Sequence, residues 1–187
     1  QMLRNASDME LSLEDGTLTV KITNRTGHKL PTGYPEGRRM WINVQFFACD
    51  GLPMPEAEYG AYDHATAMLD KESTKVYEMK AGISEEVSAL TNLPAGESFH
   101  LVLNSEVLKD NRIPAQGFTN AAYQTFDGQP VAYTYADGQY WDNTEFSVPS
   151  GATKALATLY HQTSSREYIE FLRDNQPVPP PGQEDPG

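Results

Sequence analysis

Cysteine is almost missing from this sequence. One residue, Cys49, among 187 excludes an internal disulfide, a multi-thiolate zinc site and covalent haem attachment by this chain through the paired thiols of C-x-x-C-H. Cys49 follows an apolar run and reads as a small buried side chain on a strand, with no neighbouring cation to make it a reactive thiolate. Basic residues are scarce as well. Lys and Arg total 14 against 26 Asp and Glu, a net charge of −12, which repels phosphate backbones and argues against nucleic acid as a partner. No apolar run approaches the roughly 20 residues that cross a bilayer. The opening residues Gln1-Met2-Leu3-Arg4 hold no signal-like apolar segment, so neither a membrane span nor a leader is expected. Gln1 is not an initiator residue, which predicts a trimmed chain.

Catalytic motifs are lacking too. There is no G-x-S-x-G, and the four histidines His28, His64, His100 and His161 include no pair at metal-binding spacing and no H-E-x-x-H. A hydrolase or metal-dependent enzyme therefore ranks last; no catalytic residue and no metal site is assigned. Asp50-Gly51, Asp127-Gly128 and Asp137-Gly138 read as tight turns rather than calcium loops, since none opens a D-x-D-x-D-G sequence.

What is present is material for an ordered β-rich core: 10 Tyr, 7 Phe and 2 Trp place the chain outside disordered compositions. Met9 to Glu14 alternates apolar and polar, Asp15-Gly16 tolerates positive φ, and Leu18, Val20 and Ile22 resume the alternation, which predicts a hairpin. Residues 24–37, with three Gly and two Pro, form a loop. Arg39 to Cys49 reads as the core strand, with Trp41 or its alternate-face neighbour Ile42 buried, and the hairpin should adjoin it in the core. Further strands are expected at 74–79, 98–104, 129–135 and 155–162. Helices are expected at 84–90 and 165–174, the latter behind a capping box from Ser164 to Glu167. The fold class is mainly β: an antiparallel β-sandwich, Ig-like or jelly-roll-like, with one or two short helices. Residues 1–175 make one domain, and the Pro/Gly-rich 176–187 an extended tail or linker.

Two histidines are the candidate binding residues. His28 sits in Thr26-Gly27-His28-Lys29-Leu30-Pro31-Thr32-Gly33-Tyr34-Pro35, where Gly and Pro hold an imidazole on a loop presented by a rigid sheet; it is a candidate ligand or donor, or else satisfies loop carbonyls. His100, read as a strand residue, is the weaker candidate, because a strand histidine more often bonds a backbone carbonyl.

Several long phrases together resemble one family: residues 23–41 around His28, Lys109-Asp110-Asn111-Arg112-Ile113-Pro114 with Gly117-Phe118-Thr119-Asn120, residues 135–141, and residues 163–174. They are similar to the haem-free C-terminal β-rich region of bacterial multihaem c-type cytochromes, over roughly residues 18 to 174. In that family a C-x-x-C-H-rich segment carries the haems and the β-rich region follows it, in a protein exported to the periplasm or cell surface for electron transfer. The resemblance implies a non-catalytic accessory domain that packs against or orients haem-bearing segments or partner subunits. No haem is bound covalently by this chain; haem c would reside in an associated segment or partner chain. Homo- and hetero-oligomers both fit. The resemblance carries over to His28, as haem ligand or as a residue behind the ligand, and less securely to His100. His161 stands where relatives more often have Tyr, and His64 matches nothing in the family pattern. The competing reading is a cell-surface β-sandwich module that binds carbohydrate or protein through Tyr34, Tyr59, Tyr62, Tyr140 and Trp141.

Overall fold

The computed structural model describes residues 3–35 and 37–176. Two antiparallel sheets face each other across one apolar core. The first has the order β1-β2-β9, from β1 (Ser7–Glu14), β2 (Thr17–Asn24) and β9 (Trp141–Ser147). The second runs β10-β3-β6, from β10 (Lys154–Gln162), β3 (Arg39–Phe47) and β6 (Val76–Ile83), and continues from β6 into β7 (Gly96–Glu97) and β8 (Glu106–Asp110). A small hairpin, β4 (Tyr62–Asp63) with β5 (Met68–Leu69), stands apart. The helices are α1 (Glu85–Thr91), α2 (Asn120–Gln124) and α3 (Arg166–Asp174). This is the mainly β sandwich with short helices that the sequence predicts.

The hairpin turns on Asp15 (φ 46°) and Gly16 (φ 75°), the pair of left-handed residues that a two-residue turn matched to strand twist requires. Leu18, Val20 and Ile22 of β2 and Met40, Ile42, Val44 and Phe46 of β3 point into one cluster with Tyr77 and Phe146. β3 is covered on its other face as well. Trp41 stacks on Tyr160 at 5.3 Å, meets Tyr62 at 5.3 Å and donates from Nε1 to the Gly60 carbonyl, so Trp41 and Ile42 are both buried.

Several local expectations are corrected. Residues 98–104 form turns rather than a strand, because the amides of Leu103 and Asn104 bond back to the His100 carbonyl. In 129–135 only Val131 bridges, to Asp110, and Ala132 at φ 56° breaks the extended path. Cys49 is exposed in the turn beyond β3, not buried on a strand. Helix α3 is capped by Ser165, whose Oγ accepts from the Tyr168 amide, while Glu167 reaches out to Lys71 at 2.6 Å instead of back to Ser164. The proposed tail lies, beyond Gln176, outside the described residues.

Candidate functional site

The loop carrying His28 leaves the end of β2 at Asn24, a fully buried amide that fastens two segments at once. Its Nδ2 donates to the carbonyls of His28 (2.7 Å), Ile113 (3.0 Å) and Pro114 (2.9 Å), while Oδ1 accepts from the backbone and hydroxyl of Thr26. Leu30 and Ile113 exchange both backbone bonds, at 2.8 and 2.9 Å. The loop is therefore pinned to residues 110–114, and the fold brings together two phrases that the sequence keeps far apart.

Lys29 and Arg112 converge on Asp110. Lys29 Nζ is 2.6 Å from Oδ2, and the Arg112 fork donates to both carboxylate oxygens at 2.8 Å. Burial alone would raise the Asp110 carboxyl, but the hydrogen bonds and charges of Arg112 and Lys29 outweigh it and hold its pKa below the usual value. Burial lowers the Lys29 pKa, against the opposing pull of Asp110. Two cations on one carboxylate leave the cluster with a positive surplus in a strongly acidic chain.

That surplus faces an open groove of about 460 Å³ lined by His28, Lys29, Thr32, Arg112, Tyr123 and Phe126. His28 is exposed. Its carbonyl is bonded by Asn24 and Thr26, and among the described residues its imidazole has no partner. The far wall is built by α2, which Thr119 caps by accepting from the Ala122 amide. Tyr123 lies 5.2 Å from Phe126, and Lys29 Nζ sits 5.7 Å from the Tyr123 ring. The Phe126 ring rests on Gly128, where any Cβ would collide with it, and remains 64% exposed. The groove thus offers an exposed imidazole, two anchored cations and an exposed aromatic face. Such a set suits a planar group bearing carboxylates.

The other histidines do not join His28. His100 lies in the 98–104 turns and meets Phe171 of α3 edge-on at 4.9 Å, away from the groove lining. His64 packs edge-on against Tyr62 at 5.1 Å. His161 is half-buried on β10, and burial together with the charge of Arg38 lowers its pKa. Among the described residues no three His, Cys, Asp or Glu side chains are grouped to hold a metal ion. Of the aromatics named for the competing reading, Tyr34 is exposed, while Tyr59, Tyr62, Tyr140 and Trp141 are half-buried. Tyr59 packs against Phe46 and Phe146, and Trp141 lies under Lys21.

Sequence reasoning missed Arg112, Tyr123 and Phe126 as residues that share the groove with His28, and Asp110 as the anchor of Lys29. The signal available was the phrase Lys109 to Pro114, but nothing in its spacing says that it pairs with residue 30.

A second charged cluster surrounds Arg39, which is buried. It donates to Gln162 at 2.7 Å and lies 3.4 Å from Glu167, beside a small cavity of about 50 Å³ also bordered by Lys71 and Glu78. Its side chains join β3, β10 and α3, a bracing role.

No protein-family model matches the sequence, and no curated protein sequence matches it. Among solved structures, the crystal structure of a penta-haem cytochrome c552 from Thermochromatium tepidum is similar, with a TM-score of 0.53 over 94% of this chain at 12% identity. The chain spans 36% of the length of that protein. At this identity the likeness is one of fold: the sandwich that presents His28 is built like part of a penta-haem cytochrome.

Proposed function

We propose that this domain is a non-catalytic accessory part of an extracytoplasmic multihaem c-type cytochrome, and that it packs against a haem-bearing segment or subunit through the His28 groove. The observation that carries the reading is the composition of that groove: an exposed imidazole, Lys29 and Arg112 locked by a shared carboxylate, and an exposed Phe126 ring. These groups fit the edge of a haem held from outside. His28 would approach the iron or a propionate, Lys29 and Arg112 would take propionate charge, and Phe126 would cover porphyrin surface. The open shape of the groove suits a cofactor borne by another segment, and the likeness in fold to a penta-haem cytochrome supports the same reading. No helix of the described residues is long and apolar enough to cross a membrane, so the proposal needs no bilayer contact.

The test uses a haem c undecapeptide, whose iron has an open axial position, titrated into the purified chain. Saturable binding that Lys29→Gln and Phe126→Ala each weaken supports packing at the groove. A Soret shift that disappears in His28→Ala adds iron ligation by that residue. Absence of binding at millimolar peptide, or binding unchanged in all three variants, overturns the proposal.

A further inference from the structure

At the edge of the first sheet away from β9, a row of apolar side chains is left exposed. Met9, Leu11 and Leu13 of β1 pair directly with Ile22, Val20 and Leu18 of β2, and directly paired residues of an antiparallel ladder point to the same face. All six side chains therefore face inward. The β2 residues are buried, whereas Met9, Leu11 and Leu13 remain 39%, 48% and 67% exposed. The reason lies in how the two sheets are offset. β9 lies over β6, as the bond from Tyr77 to Asp142 shows, with Lys75, one residue before β6, reaching the Asn143 carbonyl, and β2 lies over β3. β1 is the strand of its sheet farthest from β9, and its Met9, Leu11 and Leu13 lie outside the buried cluster, to which β10 contributes Ala157 with Ala155 and Leu159 beside it. β1 is an edge strand, so it combines this exposed apolar face with free backbone groups along its rim.

A second copy of this chain is a poor occupant, and the register shows why. Two β1 strands paired antiparallel about Leu11 keep apolar against apolar but set Asp8 opposite Glu14 twice. Moving the axis one residue either way sets Glu10 against Glu10, or Glu10 against Glu14. Lys21 and Arg25 already serve Glu10 and Asp8 within the chain, and Glu14 has no ion pair among the described residues. Like charges placed directly across a ladder are destabilising, and the net charge of −12 adds repulsion at longer range. The same acidic row favours a partner of opposite sign.

We propose that β1 is a docking edge for an extended segment of another polypeptide that alternates apolar and basic residues, its apolar side chains covering Met9, Leu11 and Leu13 and its basic ones meeting the outward acidic row, Glu14 first. Strand addition of this kind supplies main-chain hydrogen bonds for affinity and side-chain alternation for specificity. The surface is separate from the His28 groove, and the inference stands whether or not a haem-bearing partner uses that groove.

The experiment titrates the full chain with two blocked heptapeptides, one alternating Lys and Val and one alternating Glu and Val, with backbone amide exchange followed residue by residue. The expected result is saturable binding of the Lys/Val peptide at least tenfold tighter than the Glu/Val peptide, with exchange slowed along β1. Leu11→Ser, which changes no charge at an exposed site, should weaken binding about tenfold. Leu156→Ser, on the outward face of β10, should leave it unchanged. Equal affinity for the two peptides, protection located away from β1, or indifference to Leu11→Ser overturns the proposal. So does a dimer in sedimentation that Leu11→Ser dissociates, since a second copy would then be the occupant.

Discussion

Lys29 and Asp110 lie 81 positions apart in the chain and 2.6 Å apart in the fold. The contact is close to fully buried, with 9% and 6% of the two side chains exposed, and it decides where the His28 loop sits. Removing the carboxylate would leave Lys29 and Arg112 facing each other without a counter-charge. Breaking a buried pair in this way costs about 3–5 kcal/mol, whatever the net value of the intact pair. Asp110→Asn should therefore lower stability by that amount in urea unfolding. A loss under about 1 kcal/mol would mean that water already reaches the cluster.

Packing at β3 and β1 should respond in opposite ways. Val44 and Phe46 are fully enclosed between the sheets, and truncation to Ala should cost about 2–5 kcal/mol at each through lost burial and the cavity left behind. Leu13, two-thirds exposed on β1, should cost less than about 0.5 kcal/mol when changed to Ala. Equal losses at Phe46 and Leu13 would show that Leu13 is covered rather than exposed.

These contrasts also explain which parts of the architecture can be read from the chain. β1 and β2 alternate apolar and polar residues around Asp15-Gly16, and β3 is an apolar-rich run buried on both faces, so their pattern and their structure agree. β9 escapes because its inward positions are Asp142, Thr144 and Phe146; the polar pair is tolerated inside because Tyr77 of β6 and Lys75, one residue before it, bond the pair. Residues 98–104 mislead in the other direction. Phe99 and His100 are apolar contacts for Phe171 of α3, while Leu101 and Val102 point outward, so the apparent alternation reflects docking of a helix and not a strand. At the site, His28 is legible from its Gly/Pro frame. Arg112 and Tyr123 are not, because long-range pairing through Asn24 and Leu30 has no local period to reveal it.

Glu167 sets an acid limit on the packing of α3. Burial alone would raise its pKa, but the hydrogen bond from Lys71, with the charges of Arg39 and Lys71, brings it from 4.5 down to about 2. A carboxyl depressed on folding contributes stability that is fully present above its unfolded value and is lost as pH falls through the folded one. The contribution should therefore fade between pH 4.5 and about 2. Urea titrations across that range should show a steeper acid loss in the wild type than in Glu167→Gln. Parallel profiles would place Glu167 free in solvent.

Gly37 gives the sharpest local test, because backbone conformation and space forbid a side chain there together. Its φ of +68° lies in the left-handed region, and an added Cβ would come within 2.7 Å of Tyr168 Cβ and 2.9 Å of the Ser165 amide nitrogen. Those two atoms belong to the first turn of α3 and its cap, neither of which can yield as a flexible side chain would. The strain of a non-glycine residue at positive φ is about 1–2 kcal/mol, and displacement of α3 would add to it. Gly37→Ala should thus lower stability by more than the φ term alone and perturb the ring contacts of Tyr168 with Phe99 and Tyr34, which stand at 5.3 and 6.4 Å. Gly16→Ala is the matched comparison: its φ of +75° is similar, and nothing lies within 4 Å of the new Cβ, so its loss should be confined to backbone strain. Thermal unfolding separates the two variants, and equal losses would remove the close approach of α3 to Gly37 as a determinant of the fold.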